Sequence, residues 1–546
     1  MQARAPEVPA HRAATLAALG AGLLGAGIAC SQLAWPGRLT GVTEYDDGVY
    51  LAATLHLVHG SLPYRDFAFV QPPGILVLMS PVGLIGRVLG ARDALALARV
   101  VTMLVAGANA ALVALLVRRR GALAMAVAGG ALATFPLAVT ADHTLLLEPY
   151  LVACVLAGTL LATGTDAPSW RRLALAGACF GLAGAVKTWA IVPMLALAAY
   201  TAAREGRRVL ALVGGCVAAF SLVCLPFVVA APAAAFHDVV VAQLDRTPSA
   251  PGALSIGARL VAITGIGGLP GVPSSPALAA ALLVGLAALA VVTAVAGRRS
   301  WSALDSLVVA SAAAEVAALL VAPDFYPHYA YFSAPMLAAS LAVALSGALD
   351  ALRRRARAHA RRRSRRPVAL ATIGLAVAAV LAGENVAYGE TYLPSSVRTP
   401  AGAVLDPGRA IARAVPAGAC ALSDDPVLLV EADRLLSSRP GCPSLVDPVG
   451  MRLAAAAGAP PRRAAESLAS SWRSAFARAS FVVLSSPSAP SIGWSAELRR
   501  WFAGHFRLVL GRQAAYVYER AGAARDHTAT ISRSPSRPRK SSGLRV

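Results

Sequence analysis

Charge is scarce in this chain, and lysine is scarcer still. Charged residues make up 14% of its 546 positions against 57% hydrophobic ones, a balance outside that of soluble domains. Lysine occurs only at Lys187 and Lys540, so arginine supplies nearly every basic side chain. The formal charge of +22 does not make nucleic acid a partner. The arginines come in short blocks between apolar runs, as in loops kept on one side of a bilayer, and no basic soluble fold is visible. A glycine-rich loop on a strand-to-helix turn is also missing, which excludes the common nucleotide-phosphate cradle. So is any internal repeat of solenoid or transporter type. Five cysteines (Cys30, Cys154, Cys179, Cys216 and Cys224) lie in apolar runs and read as buried thiols. Cys420 and Cys442 lie in a more polar C-terminal region, where pairing requires an oxidising compartment.

What is present is a series of apolar runs long enough to cross a hydrocarbon core of ~30 Å. With the arginine blocks taken as cytoplasmic markers, about eleven spans close into one path. Residues 13–34 go out, 97–117 return to Arg118-Arg119-Arg120, 121–140 go out, and 145–163 return to Arg171-Arg172. The stretch 173–203 is too long for one span and is interrupted by GLAGAVKTW, which predicts a hairpin of two short helices with Lys187 near its outer tip. Residues 209–231 go out, 277–297 in, 302–322 out, 333–350 in to RRRARAHARRRSRR, and 367–384 out. The path requires PGILVLMSPVGLIGRVL, residues 73–89, to lie in the interface, since crossing would put the Arg118 block on the wrong side.

The expected organisation is a cytoplasmic 1–12, a polytopic helical membrane module at 13–389 with a first outer loop at 35–96, and an extracytoplasmic α/β domain at 390–520. In that domain ACALSD, SFVVLSS, FRLVL and AAYVYER read as strands, and PVLLVEADRLL and SAELRRWFAGH as helices. Residues 521–546, rich in Ser, Arg and Pro, read as a disordered basic tail.

This topology collects Asp46, Asp47, Arg65, Asp66 and Gln71 from the first outer loop, Asp142, His143 and Glu148 from the second, Lys187, and Asp324, His328 and Tyr329 from a later loop. Ionisable groups at the hydrocarbon boundary are costly and tend to mark function. Adjacent carboxylates repel, so one of Asp46 and Asp47 can hold its proton to higher pH and serve as a base. The pair also fits a simple helix cap before VYLAATLHLVHG. Lys187 fits a phosphate ligand or a snorkelling side chain, and His328 an active-site group or part of an interfacial aromatic belt. Asp142 and Glu148 leave a divalent cation open but are far short of a defined site. Glu315 falls mid-span without an evident role.

The DDGVY start, the helix ending in HGSLPYRDF and the QPPG that follows resemble the first extracytoplasmic loop of the GT-C glycosyltransferases, integral membrane enzymes that use polyprenyl-phosphate sugars. The similarity is greatest to the bacterial branch of aminoarabinose and protein O-mannosyl transferases, and it runs over roughly residues 13–350. LEPY with Glu148 resembles the second acidic motif, with Asp142 just upstream. GLAGAVKTW resembles the glycine-rich segment ending in Lys, and YPHYAYFSAP the aromatic-His-Tyr loop. The resemblance implies a GT-C-like bundle and an inverting sugar transferase with Asp46, assisted by Asp47, as base. It also implies a polyprenyl-phosphate-linked donor held in membrane lipid, and a glycan, lipid or protein acceptor. Gln71 stands where the aminoarabinose type often has a phosphate-binding lysine, so Arg65, Lys187, His328 and Tyr329 are the alternatives for the donor phosphate. A flippase of lipid-linked sugars is the competing expectation.

Overall fold

In the computed structural model the described residues are 10–246, 254–269, 271–296, 301–359, 405–512 and 515–522. The expected span at 367–384 and most of the expected tail lie outside them. Among the described residues, thirteen helices of nine residues or more build the N-terminal part. They are α1 (Ala10–Leu33), α2 (Tyr45–Val58), α3 (Gly74–Leu89), α4 (Ala91–Leu116), α5 (Ala122–Ala133), α6 (Leu147–Thr163), α7 (Trp170–Val186), α8 (Ile191–Glu205), α9 (Val209–Ala230), α10 (Ile256–Thr264), α11 (Pro276–Ala296), α12 (Ala303–Val321) and α13 (Ala334–His359). Six stretches are long and apolar enough to cross a bilayer: Arg12–Leu33, Ala91–Leu116, Thr188–Ala230, Pro276–Ala296, Ala303–Val321 and Ala334–Leu352. This is a multi-pass membrane protein. Its outward-facing Leu16, Leu23, Leu222, Val284 and Val321 are lipid-facing surface.

The expected spans and the helices agree closely except at 121–140. There α5 stops at Ala133, because Pro136 disfavours helix in the residue before it. Its 12 residues rise only about 18 Å. The 173–203 stretch breaks where expected, with Lys187 in extended conformation between α7 and a short 3-10 turn before α8. α7 and α9 run side by side in the same direction. A Cβ on Gly177 would lie 1.9 Å from the Leu212 carbonyl oxygen and one on Gly215 2.0 Å from that of Ala174, so glycine is what lets these backbones approach.

The arginine blocks gather at one end of the bundle. Arg119 pairs with Asp166 (2.8 Å), Arg120 pairs with Asp305 (2.5 Å), and Arg204 shares a small cleft with Arg119 and Asp166. α3 does not cross. A Cβ on Gly74 at its start would strike the Ala185 carbonyl beside Lys187, and Gly90 just past its end abuts the Asp433 carboxylate, both at the opposite end. Its outward side carries Val77, Leu84, Ile85, Val88 and Leu89, as the interfacial reading predicts.

The C-terminal unit is a four-stranded sheet of order β1-β2-β4-β3: β1 (Ala421–Ser423) parallel to β2 (Phe481–Leu484), β4 (Ala515–Arg520) antiparallel to both β2 and β3 (Phe506–Arg512). After a first short helix at Gly408–Ala414, its helices are α14 (Pro426–Glu431), α15 (Pro448–Ala456), α16 (Pro461–Arg478) and α17 (Ala496–His505). All four expected strands are present. The expected helix PVLLVEADRLL is cut short at Glu431, just before Asp433 takes a positive φ of 52°. Trp472, Phe476, Val482, Leu484 and Phe502 form its core. Cys420 and Cys442 are joined by a disulfide. The unit sits on the bundle end opposite the arginines, with Arg92 paired to Asp406 and the Arg92 N–H donated to Asp433.

Candidate active site

The four residues Tyr45-Asp46-Asp47-Gly48 form the first turn of α2, and three of them are tied to scaffold. The phenol of Tyr45 donates to Asp447 of the α/β unit (3.1 Å). Asp47 is fully buried and ion-paired with Arg99 of α4, while its other oxygen accepts the Leu145 N–H (2.9 Å). The Arg99 guanidinium also donates to the carbonyls of Arg38 (2.7 Å) and Gly41 (3.0 Å) and to Thr43 (2.8 Å). Gly48 faces Val427, whose Cβ would lie 2.6 Å from any side chain added there.

Asp46 is different: among the described residues its carboxylate accepts a single long bond, from Tyr50 (3.3 Å). It faces His328, Glu148, Lys187 and Arg246. Loss of water holds the Asp46 carboxyl above the usual carboxylate range, opposed by His328, reinforced by Glu148, and opposed again by Lys187 and Arg246. The two adjacent acids, read together from the sequence as a catalytic pair, thus have separate environments.

Lys187 reaches this cluster because the chain is extended at the break after α7. Its ammonium bonds Glu148 at the start of α6 (2.6 Å) and sits 3.9 Å from the Trp189 ring and 3.8 Å from the Tyr329 ring. His328 stacks on Tyr326 and meets Tyr329 edge to face. Burial pushes the His328 imidazole below its ordinary value, against the pull of Glu148 and Asp46. Arg246 lies 3.5 Å from both Asp324 and the Tyr329 hydroxyl. Lys187, Arg246, Gln71, Gln243, Trp189 and Tyr329 line a cavity of about 190 Å³.

Two expected members stand apart. Arg65 is half-exposed and paired with its neighbour Asp66 (2.8 Å), and it does not line the cavity. Asp142 is buried near Tyr331, and burial pushes its carboxyl up to about 8. Glu148 is committed to Lys187 instead, so the two acids do not form a shared cation site. Among the described residues no group of three or more His, Cys, Asp or Glu is placed to hold a metal.

Residues 69–323 match the family model of glycosyltransferase family 87. The crystal structure of ArnT from Cupriavidus metallidurans bound to undecaprenyl phosphate aligns over 93% of this chain and 98% of that one, at 17% identity and a TM-score of 0.58. The chain shares the fold of this membrane protein. The apo ArnT structure aligns over 90% of this chain and 95% of that one, at 17% identity and a TM-score of 0.56. No curated protein matches in sequence. The family match covers Gln71, Glu148, Lys187 and Arg246 of this chain and stops short of Asp46 and His328.

Sequence reasoning missed three residues of the site. Arg246 lies in a stretch with no apolar pattern to position it. Arg99 sits inside the apolar run 97–117, where an intramembrane charge is a signal in its own right. Asp447 is 402 residues from Tyr45, with nothing local to join them.

Proposed function

We propose that this protein is a membrane glycosyltransferase of the GT-C type that transfers a sugar from a polyprenyl-phosphate donor to a hydroxyl of a cell-envelope glycan, lipid or protein, at the extracytoplasmic face. The observation that carries this reading is the asymmetry of the acidic pair. Asp47 is neutralised by Arg99, while Asp46 keeps a carboxylate without a scaffold partner and turns it toward Lys187, His328 and Arg246.

Asp46 takes the proton of the acceptor hydroxyl as that oxygen attacks the anomeric carbon. The bond from that carbon to the phosphate oxygen breaks, the configuration inverts, and the polyprenyl phosphate leaves with the bonding pair. Lys187 and Arg246 beside the cavity stabilise the charge gathering on that phosphate, with Gln71 as a neutral donor where a lysine is absent. Glu148 and the two rings hold the Lys187 ammonium in place before the donor arrives. The separate commitments of Asp142 and Glu148 do not fit a divalent cation, and no step is assigned to one.

The donor class is supported by the fold shared with ArnT, which was crystallised with undecaprenyl phosphate. The face is supported by the arginine blocks at the other end and by the Cys420–Cys442 disulfide. By the same logic residues 390–520 are extracytoplasmic, and 13–389 form the membrane module. The test is to incubate membranes containing the protein with radiolabelled undecaprenyl-phosphate mannose, glucose, arabinose and aminoarabinose and follow the label. Wild type consumes a donor and Asp46→Asn does not, at equal expression; full activity in Asp46→Asn refutes the assignment.

A further inference from the structure

One helix of the α/β unit touches both halves of this proposed centre. At its N-terminal end, Asp447 caps α15 and accepts the Tyr45 hydroxyl proton, while the Val449 N–H donates to the same phenol oxygen (2.9 Å). The phenol is thereby oriented, its proton directed to Asp447. Tyr45 immediately precedes Asp46. Beyond the C-terminal end of the helix, the Gly458 N–H donates to Asp245 (2.6 Å), and Asp245 immediately precedes Arg246. Between these two bonds Leu453 and Ala457 pack on Val70, Val241 and Ala242, and Val70 precedes Gln71. Three residues, each one position from a site residue, are held by a helix of nine residues, about 14 Å long, and the residues that flank it.

We infer that α15 is a brace setting the separation between Asp46 and the cavity lined by Arg246 and Gln71, with Asp447 and Asp245 as positioning residues. The inference rests on the assignment of Asp46 as base. Neither positioning residue touches the reacting atoms in this account. Each acts through its neighbour, and a displacement of about 1 Å at a reacting group costs on the order of 100-fold in rate.

The experiment uses the full chain in lipid nanodiscs and whichever of the four radiolabelled donors the wild type consumes. Tyr45→Phe lowers kcat roughly 10-fold with donor KM and unfolding midpoint unchanged. Asp245→Ala, which frees the Arg246 side, raises donor KM roughly 5-fold. Asp447→Asn still caps the helix and still accepts the phenol proton, so it retains most of the activity; Asp447→Leu does not. Tyr45→Phe combined with Asp245→Ala loses less than the product of the single losses, because a brace released at one end no longer fixes the other. Wild-type kcat and KM in both single variants overturn the brace. So does a loss of activity that only follows a loss of folded protein. If Asp46→Asn is inactive while Tyr45→Phe is fully active, the brace alone fails; if Asp46→Asn is active, the base assignment fails first.

Discussion

Replacing Asp47 by alanine should unfold the protein long before it informs on chemistry. Asp47 and Arg99 are both fully buried, and the guanidinium has one anionic partner. Its other acceptors are the Arg38 and Gly41 carbonyls and the Thr43 hydroxyl. Removing the carboxylate leaves a buried cation held by neutral oxygens only, and breaking such a pair costs about 3–5 kcal/mol. The same change orphans the Leu145 N–H, for a further ~1 kcal/mol or more. Against a total stability of roughly 5–15 kcal/mol, that is a large share. Thermal unfolding in detergent, followed by the monodisperse fraction, should show a clearly lowered midpoint for Asp47→Ala and a near wild-type midpoint for Asp46→Asn. The paired change Asp47→Leu with Arg99→Met, which removes both charges, should recover much of the loss. If Asp47→Ala melts like wild type yet is inactive, its carboxylate is doing chemistry, and the division of labour between the two acids is refuted.

Stability should also depend on pH in a defined direction. Burial raises the Asp142 carboxyl to about 8 and the Asp447 carboxyl to about 7, so the folded state binds their protons more tightly than the unfolded chain does. Their contribution is complete below the unfolded carboxylate range near 4 and is lost as pH rises through about 7 to 8, so the unfolding midpoint should fall over that window. A midpoint that rises there contradicts the burial of both groups. Lys187→Met should weaken undecaprenyl-phosphate binding at least 10-fold and lower the melting midpoint by leaving Glu148 buried without its cation, whereas a surface lysine would do neither. Gly177→Val should prevent assembly, since its first side-chain atom would overlap the Leu212 carbonyl; normal yield in membranes argues against the α7–α9 contact.

The long apolar runs and the arginine blocks made the bundle legible, because lipid leaves a helix few alternatives and one-sided charge fixes its direction. Lys187 was legible for the same reason: a lone lysine at a glycine-rich break has few bland explanations. The acidic pair was legible as a pair and illegible as two residues. What separates Asp46 from Asp47 is Arg99, on another helix 52 positions away. Arg65 looked eligible because composition cannot tell a cation that reaches a cavity from one satisfied by its neighbour. The strands of the α/β unit showed in their β-branched and aromatic runs, but its docking on α2 depends on contacts such as Gly48 against Val427. Those arise from shape and leave no periodic trace.

With the proposed centre at the extracytoplasmic face, helix α3 would tie its height to the lipid headgroups. The start of α3 follows Gln71 and Pro72, and its exposed leucines and valines suit the boundary between acyl chains and water. In a thicker or thinner bilayer the spanning helices adjust by tilting. A centre moored by a surface float travels with the membrane plane, and so meets each lipid-borne substrate at the same depth whatever the thickness beneath it.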